Sequence, residues 1–130
     1  MKASLYTDGA CLGNPGPMGL GVCLRIGNNT YTHAEYAGQG TNNVAEYSAL
    51  LKGLEIASTK GVTDVACFLD SELVVKQLTG VYRIKDARLQ EIAKKIQAFK
   101  QRFVTCTITH IPREQNSVAD TLSKQGAQNN

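Results

Sequence analysis

At 130 residues, 42% hydrophobic and 19% charged, the chain has the material for one globular domain around one core and none for a second. Its start, MKASLYTDGA, lacks the apolar run of a secretory signal, and no stretch approaches membrane-spanning length, so the expectation is a cytoplasmic chain with no membrane contact. A net charge of +3 permits a polyanionic partner without demanding one; Cys11, Cys23, Cys67 and Cys106, scattered with no C-x-x-C pair, point to neither a zinc site nor a disulfide framework and are read as reduced thiols.

In chain order, SLYTD (4–8) alternates and stops at an Asp, and GACLGNPGPMG follows as a long Gly/Pro-rich turn. LGVCLRI and, after GNN, TYTHAEYAG are two more strands, so the chain opens as an antiparallel meander. From Thr41 the period changes. VAEYSALLKGLEIAS sets Val44, Leu51, Leu54 and Ala57 or Ser58 at helical spacing, with Thr41 or Asn42 available as N-cap. Past the Gly61 stop, VTDVACFLD is an apolar β-branched run that again ends on an Asp, and SELVVKQLTG is a brief helix closed by Gly80. DARLQEIAKKIQAFKQRF repeats apolar residues at Leu89, Ile92, Ile96 and Phe99, VTCTITHI is a strand, and NSVADTLSKQGA a final short helix.

The order is βββαβααβα, an α/β or α+β domain over residues 1–127 with a mixed sheet, and a QNN tail (128–130) expected to fray. Positive charge gathers at Lys76, Arg83, Lys85, Arg88, Lys94, Lys95, Lys100 and Arg102, either a basic face for a polyanion or a solvated helix surface.

Two strands that end in an Asp put Asp8 and Asp70 beside the loops where open α/β sheets hold their ligands. If those strands are neighbours, the two carboxylates converge to a spacing that hard divalent ions accept; the alternative is that each Asp only turns the chain or caps a helix. Four segments stand around acids: TDGACLGNPG at Asp8, TNNVAEYSALLKGL at Glu46, LDSELV at Asp70 and HIPREQNSVADTLS at Asp120. Each resembles, in order and spacing, its counterpart in type 1 ribonuclease H, most of all the compact bacterial and archaeal forms, and the resemblance covers nearly the whole chain.

The resemblance implies the ribonuclease H-like fold, a five-stranded mixed sheet flanked by helices. It also implies metal-dependent hydrolysis of the RNA strand of RNA/DNA hybrids to 5′-phosphate and 3′-hydroxyl ends. Asp8, Glu46, Asp70 and Asp120 match the family's four metal-binding acids, which implies two Mg2+ ions, or Mn2+, in the substrate complex. The chemistry explains so many carboxylates: a phosphodiester is already anionic, and cleaving it requires an activated water and a neutralised leaving oxygen. His110 resembles the family's mobile loop histidine and would serve proton traffic or product release; the other reading is that it only ends a strand. His33 is read as structural and Glu114 as a solvated loop residue.

Cys11, Asn14, Asn42 and Asn43 match family positions that contact the hybrid, and Thr41 and Ser71 are candidates for phosphate contact, small polar groups being suited to 2′-hydroxyls in a shallow groove. Turn and cap chemistry alone would also account for Asn14 and Asn42. Residues 79–86 omit the long basic, tryptophan-bearing protrusion of some members, and the chain has no Trp, so Lys76, Arg83, Lys85 and Arg88 would carry more of a salt-sensitive grip. Glu72 and Lys76 stand where some members carry amides. Alternatives are a non-catalytic hybrid-binding relative, which the intact acids disfavour, and a nuclease that also cuts double-stranded RNA. The ATPase branch of the fold would need a second glycine-rich phosphate loop, and no further G-x-G provides one. A monomer is the default.

Overall fold

The computed structural model describes residues 1–129. Its elements run β1 (Lys2–Cys11), β2 (Gly16–Ile26), β3 (Asn29–Gly40), α1 (Asn42–Thr59), β4 (Asp64–Leu69), α2 (Glu72–Leu78), α3 (Ala87–Lys100), β5 (Thr105–His110) and α4 (Ser117–Gln128), with a 3-10 turn at Arg113–Gln115 before α4. This is the expected order, and the five strands form one mixed sheet in the order β3-β2-β1-β4-β5. β1, β2 and β3 pair antiparallel, while β4 lies parallel to both β1 and β5.

Burial explains the layering. β2 is buried along nearly its whole length because α1 covers one face of the meander and α4 the other. α1 is itself sandwiched between the sheet and α3, so Tyr47, Leu50 and Leu54 are fully buried and the helix has little polar stripe to spare. α3 needs only Leu89 and Ile96 buried to cover α1.

Helix ends follow local chemistry. Thr41 Oγ1 accepts from Val44 N at 3.3 Å, Ser71 Oγ from Val74 N at 3.3 Å and Asp86 Oδ1 from Leu89 N at 3.0 Å, so each of these helices starts on a short polar side chain. Gly61 and Gly80 take the left-handed conformation that ends α1 and α2, as their positions in the sequence indicate. α4 reaches Gln128 and is capped by Asn129; the rest of the expected tail, Asn130, lies outside the described residues.

The structure corrects two expectations. β1 does not stop at Asp8 but continues to Cys11, because β2 pairs with it as far as Cys11↔Met18; only the parallel ladder to β4 ends earlier, at Tyr6↔Phe68. The Gly/Pro-rich turn is therefore short, residues 12–15, closed by Leu12 N donating to Pro17 O at 2.9 Å. Gly19, read as a turn residue, serves packing instead, as does Gly21 in the strand. A Cβ at Gly19 would lie 1.9 Å from the Ser123 carbonyl oxygen, and one at Gly21 would lie 2.1 Å from that of Ala119. α4 thus rests on β2 backbone against backbone. All four cysteines are free, and no helix among the described residues is long and apolar enough to cross a membrane.

Candidate metal centre

Because β1 and β4 are parallel neighbours, their carboxyl ends lie side by side. Asp8 follows the last parallel pair by two residues and sits opposite Gly21 of β2; Asp70 follows directly on Leu69, the last residue of β4. Glu46 reaches the same place from the second turn of α1. It can do so because Gly9 has no side chain: a Cβ there would lie 2.1 Å from the Ala45 carbonyl carbon and 2.3 Å from Glu46 N. One oxygen each from Asp8, Glu46 and Asp70 lies within 4.8 Å of the others.

Asp120 comes from α4 and stands at the rim, in reach of Asp8 but drawn outward by Lys124 at 3.1 Å and Arg113 at 3.9 Å. Among the described residues, no lysine or arginine pairs with Asp8, Glu46 or Asp70.

Asp8 and Glu46, packed together without a cation side chain, resist ionisation. Burial is the main cause that pushes Asp8 from the usual 3.8 up to about 6, with the Asp70 charge adding to it and hydrogen bonds from Glu46 and Ser123 opposing it. Glu46 is pushed well above the usual carboxylate range, by burial first and then by the Asp8 charge. Its Oε2 is buried and has no hydrogen-bond partner. For Asp120 burial works upward, but Lys124 and the contact with Asp8 hold the carboxyl below its ordinary value.

Hard oxygens, anionic charge left without a counter-ion and an unpartnered buried acceptor together fit a divalent cation such as Mg2+ or Mn2+. A hollow elsewhere on the sheet is lined by Lys2, Tyr6, Arg25 and Asp64 among others, and the acids do not line it.

A family model described as Reverse transcriptase-like matches residues 6–126. The crystal structure of RNase H1 from the halophilic archaeon Halobacterium salinarum superimposes with a TM-score of 0.95 at 36% identity, covering 100% of both chains. The chain belongs to the type 1 ribonuclease H family. The full-length ribonuclease HI of Halobacterium salinarum is 38% identical over 126 residues, 95% of this chain and 63% of that protein. A bifunctional protein of Mycobacterium tuberculosis is 36% identical over 95% of this chain, which spans only 35% of it. LC11-RNase H1, solved in complex with an RNA/DNA hybrid, matches with a TM-score of 0.90 at 40% identity, over 97% of this chain and 96% of that one. The chain thus spans between a third and two thirds of the full-length relatives it matches.

The ribonuclease H-like arrangement brings most of the other candidates to the start of α1, beside the acids. Cys11 Sγ lies 3.2 Å from the Gly40 carbonyl oxygen and 3.5 Å from that of Gly16, and Asn14 Oδ1 accepts from Asn42 N at 3.0 Å. With Thr41 as the cap and Asn43 in the first turn, these residues form one polar surface that ties the β1–β2 turn to the helix. Ser71 caps α2 directly after Asp70.

His110 is not on a loop: it is the last residue of β5, exposed and paired in register with Leu69, so the strand read from VTCTITHI does reach it. His33 bonds Glu35 at 2.7 Å, and Glu114 is exposed in the 3-10 turn. Of the basic residues, Lys76 is engaged by Glu72 at 2.6 Å and Arg88 donates to the Gln39 carbonyl at 3.3 Å.

Two polar residues of this ribonuclease H site were not among the candidates. Asn116, 1% exposed, donates from Nδ2 to Asp70 Oδ2 at 3.0 Å and to the Thr7 carbonyl at 2.9 Å. Ser123, fully buried, has its hydroxyl 2.9 Å from Asp8 Oδ2 and 2.8 Å from the Asp120 carbonyl, two acceptors for one hydrogen. Their sequence signal is positional: with Ala119, Gly126 and Ala127 they make the buried face of α4, where a polar side chain requires a buried partner.

Proposed function

We propose that this chain is a divalent-metal-dependent endoribonuclease that hydrolyses the RNA strand of RNA/DNA hybrids to 5′-phosphate and 3′-hydroxyl ends, acting as a single domain over residues 1–127 and as a monomer. The observation that carries the reading is the cluster of Asp8, Glu46 and Asp70, with the unpartnered Oε2 of Glu46 and no cation side chain on it. Asp8, Glu46 and Asp70 would hold the metal, with Asp120 joining from the rim as the fourth ligand for a second ion when substrate is bound. Divalent ions bound there supply the Lewis acidity that activates a water and the positive charge that stabilises the leaving 3′ oxygen.

The chain's residues supply the rest. Burial and close packing of the acids favour exchange of their shared proton for a metal, because in the ionised state three anions in low dielectric need a counter-charge. Cys11, Asn14, Thr41, Asn42 and Asn43 offer small polar groups of the kind that suit the 2′-hydroxyls of an A-like minor groove, and Ser71 is a candidate contact to the backbone beside Asp70. His110, exposed at the end of β5 opposite Leu69, would take or give a proton in the reaction. The LC11 enzyme's hybrid complex supports the substrate class.

The test is cleavage of a strand-labelled RNA/DNA hybrid beside single-stranded and double-stranded RNA, with Mg2+, with Mn2+ and with chelator. Metal-dependent cutting of the hybrid's RNA strand is the expected result; binding without cutting under any metal makes the chain a non-catalytic hybrid reader. Cutting of double-stranded RNA as well broadens the substrate class. His110→Ala is expected to slow turnover on the order of 10- to 100-fold and to reshape the pH profile of the rate. An unchanged rate and profile would leave His110 as a strand end.

A further inference from the structure

The buried amide of Asn116 touches both β1 and Asp70, the residue directly after β4. Both of its N–H donors are used, one on Asp70 Oδ2 at 3.0 Å and one on the Thr7 carbonyl at 2.9 Å, next to Asp8. The backbone carbonyl of Asn116 accepts from Asp120 N at 3.0 Å. One residue therefore joins β1, the end of β4 and the turn of α4 that bears Asp120.

We infer that Asn116 is the positioning residue of the metal centre, holding Asp70 in the orientation that completes the cluster with Asp8 and Glu46. The ladder between β1 and β4 ends at Tyr6↔Phe68, so beyond it Asp70 has no sheet partner to fix it. Asn116 is its side-chain hydrogen-bond partner there. Without the amide the half-buried Asp70 carboxylate is free to turn toward water, and a ligand that must first be ordered binds a cation less tightly.

The orientation of the amide follows from its neighbours. Turning it over would aim its oxygen at a carboxylate and a carbonyl, two acceptors, so the nitrogen faces them even though Asn116 Oδ1 is left buried without a partner. An Asn before a helix ordinarily caps it, but this side chain makes no capping bond to α4 and points to the strands instead.

The inference rests on the reading of Asp8, Glu46 and Asp70 as a cation site. Its test is Mn2+ binding to the full chain by titration calorimetry at pH 8, for the parent, Asn116→Ala, Asp70→Ala and the double variant. Asn116→Ala is expected to weaken Mn2+ binding on the order of tenfold. Added to Asp70→Ala it is expected to cost nothing more, since its effect passes through Asp70. Parent-like affinity in a folded Asn116→Ala, or an equal loss in both backgrounds, overturns the inference and leaves Asn116 a packing residue. Should Asn116→Ala fail to fold by circular dichroism, Asn116→Ser takes its place in the same cycle, because its single shorter donor suits a helix start and cannot span both acceptors. A parent that binds no Mn2+ sinks the metal-centre reading itself.

Discussion

Asp8→Asn is expected to lower hybrid cleavage by roughly three orders of magnitude, about 4 kcal/mol of transition-state stabilisation, while making the protein more stable at neutral pH in the absence of metal. The two effects have one cause. A carboxylate whose folded pKa stands near 6 against an ordinary 3.8 keeps its proton in the folded state over a range where the unfolded chain has released it. Its contribution is fully present below about pH 4 and is lost as pH rises through 6, a fall on the order of 3 kcal/mol for a shift of this size.

Asn carries no such titration and still accepts the Ser123 hydroxyl, so melting curves of the variant should lack that fall between pH 4 and 6. In the parent, Mg2+ or Mn2+ should restore the lost stability at neutral pH, because it binds the folded state alone. A variant that melts below the parent at pH 7 in chelator would show that the carboxylate stabilises the fold, contrary to this account.

Gly9→Ala is the substitution expected to damage fold and site together. The added methyl would meet the Ala45 carbonyl carbon at 2.1 Å, its oxygen at 2.3 Å and Glu46 N at 2.3 Å, all backbone atoms that cannot rotate aside. α1 must lift from β1, which costs about 3 kcal/mol and lowers the melting temperature by roughly 10 °C. The same movement withdraws Glu46 from Asp8, so cleavage and metal affinity fall even at temperatures where the variant is folded. Gly27→Ala is the control: nothing lies within 4 Å of its Cβ, and its positive φ costs only about 1 kcal/mol, with activity kept. Equal melting temperatures for the two variants would show that the close approach at Gly9 relaxes without consequence.

The elements that periodicity made legible were those whose burial is local. The apolar spacing from Val44 to Ala57, the β-branched run before Asp70 and the cap at Thr41 matched the structure, since each depends on residues a turn or a strand apart. The end of β1 was not legible. Whether β1 stops at Asp8 or continues to Cys11 depends on a partner strand that folds up beside it.

Gly19, read as part of the turn, misled for a related reason: with Gly21 it permits α4 to approach, and the residues they make room for lie about a hundred positions away. The candidate acids were visible because the resemblance carried all four at once. Asn116 and Ser123 were not, because each is an ordinary polar residue until the strand it faces is known.

The bonds that close the centre span most of the chain, 109 residues from Asn116 to Thr7 and 115 from Ser123 to Asp8. During synthesis the meander and α1 can assemble early, but the last helix must leave the ribosome and dock before Asp8 and Asp70 acquire their buried partners. Contacts of such long range form late and are among the first lost on partial opening. Under the proposed function, cation binding would therefore report on completeness: a chain that has not docked α4 holds Asp8, Glu46 and Asp70 yet lacks the frame that gathers them.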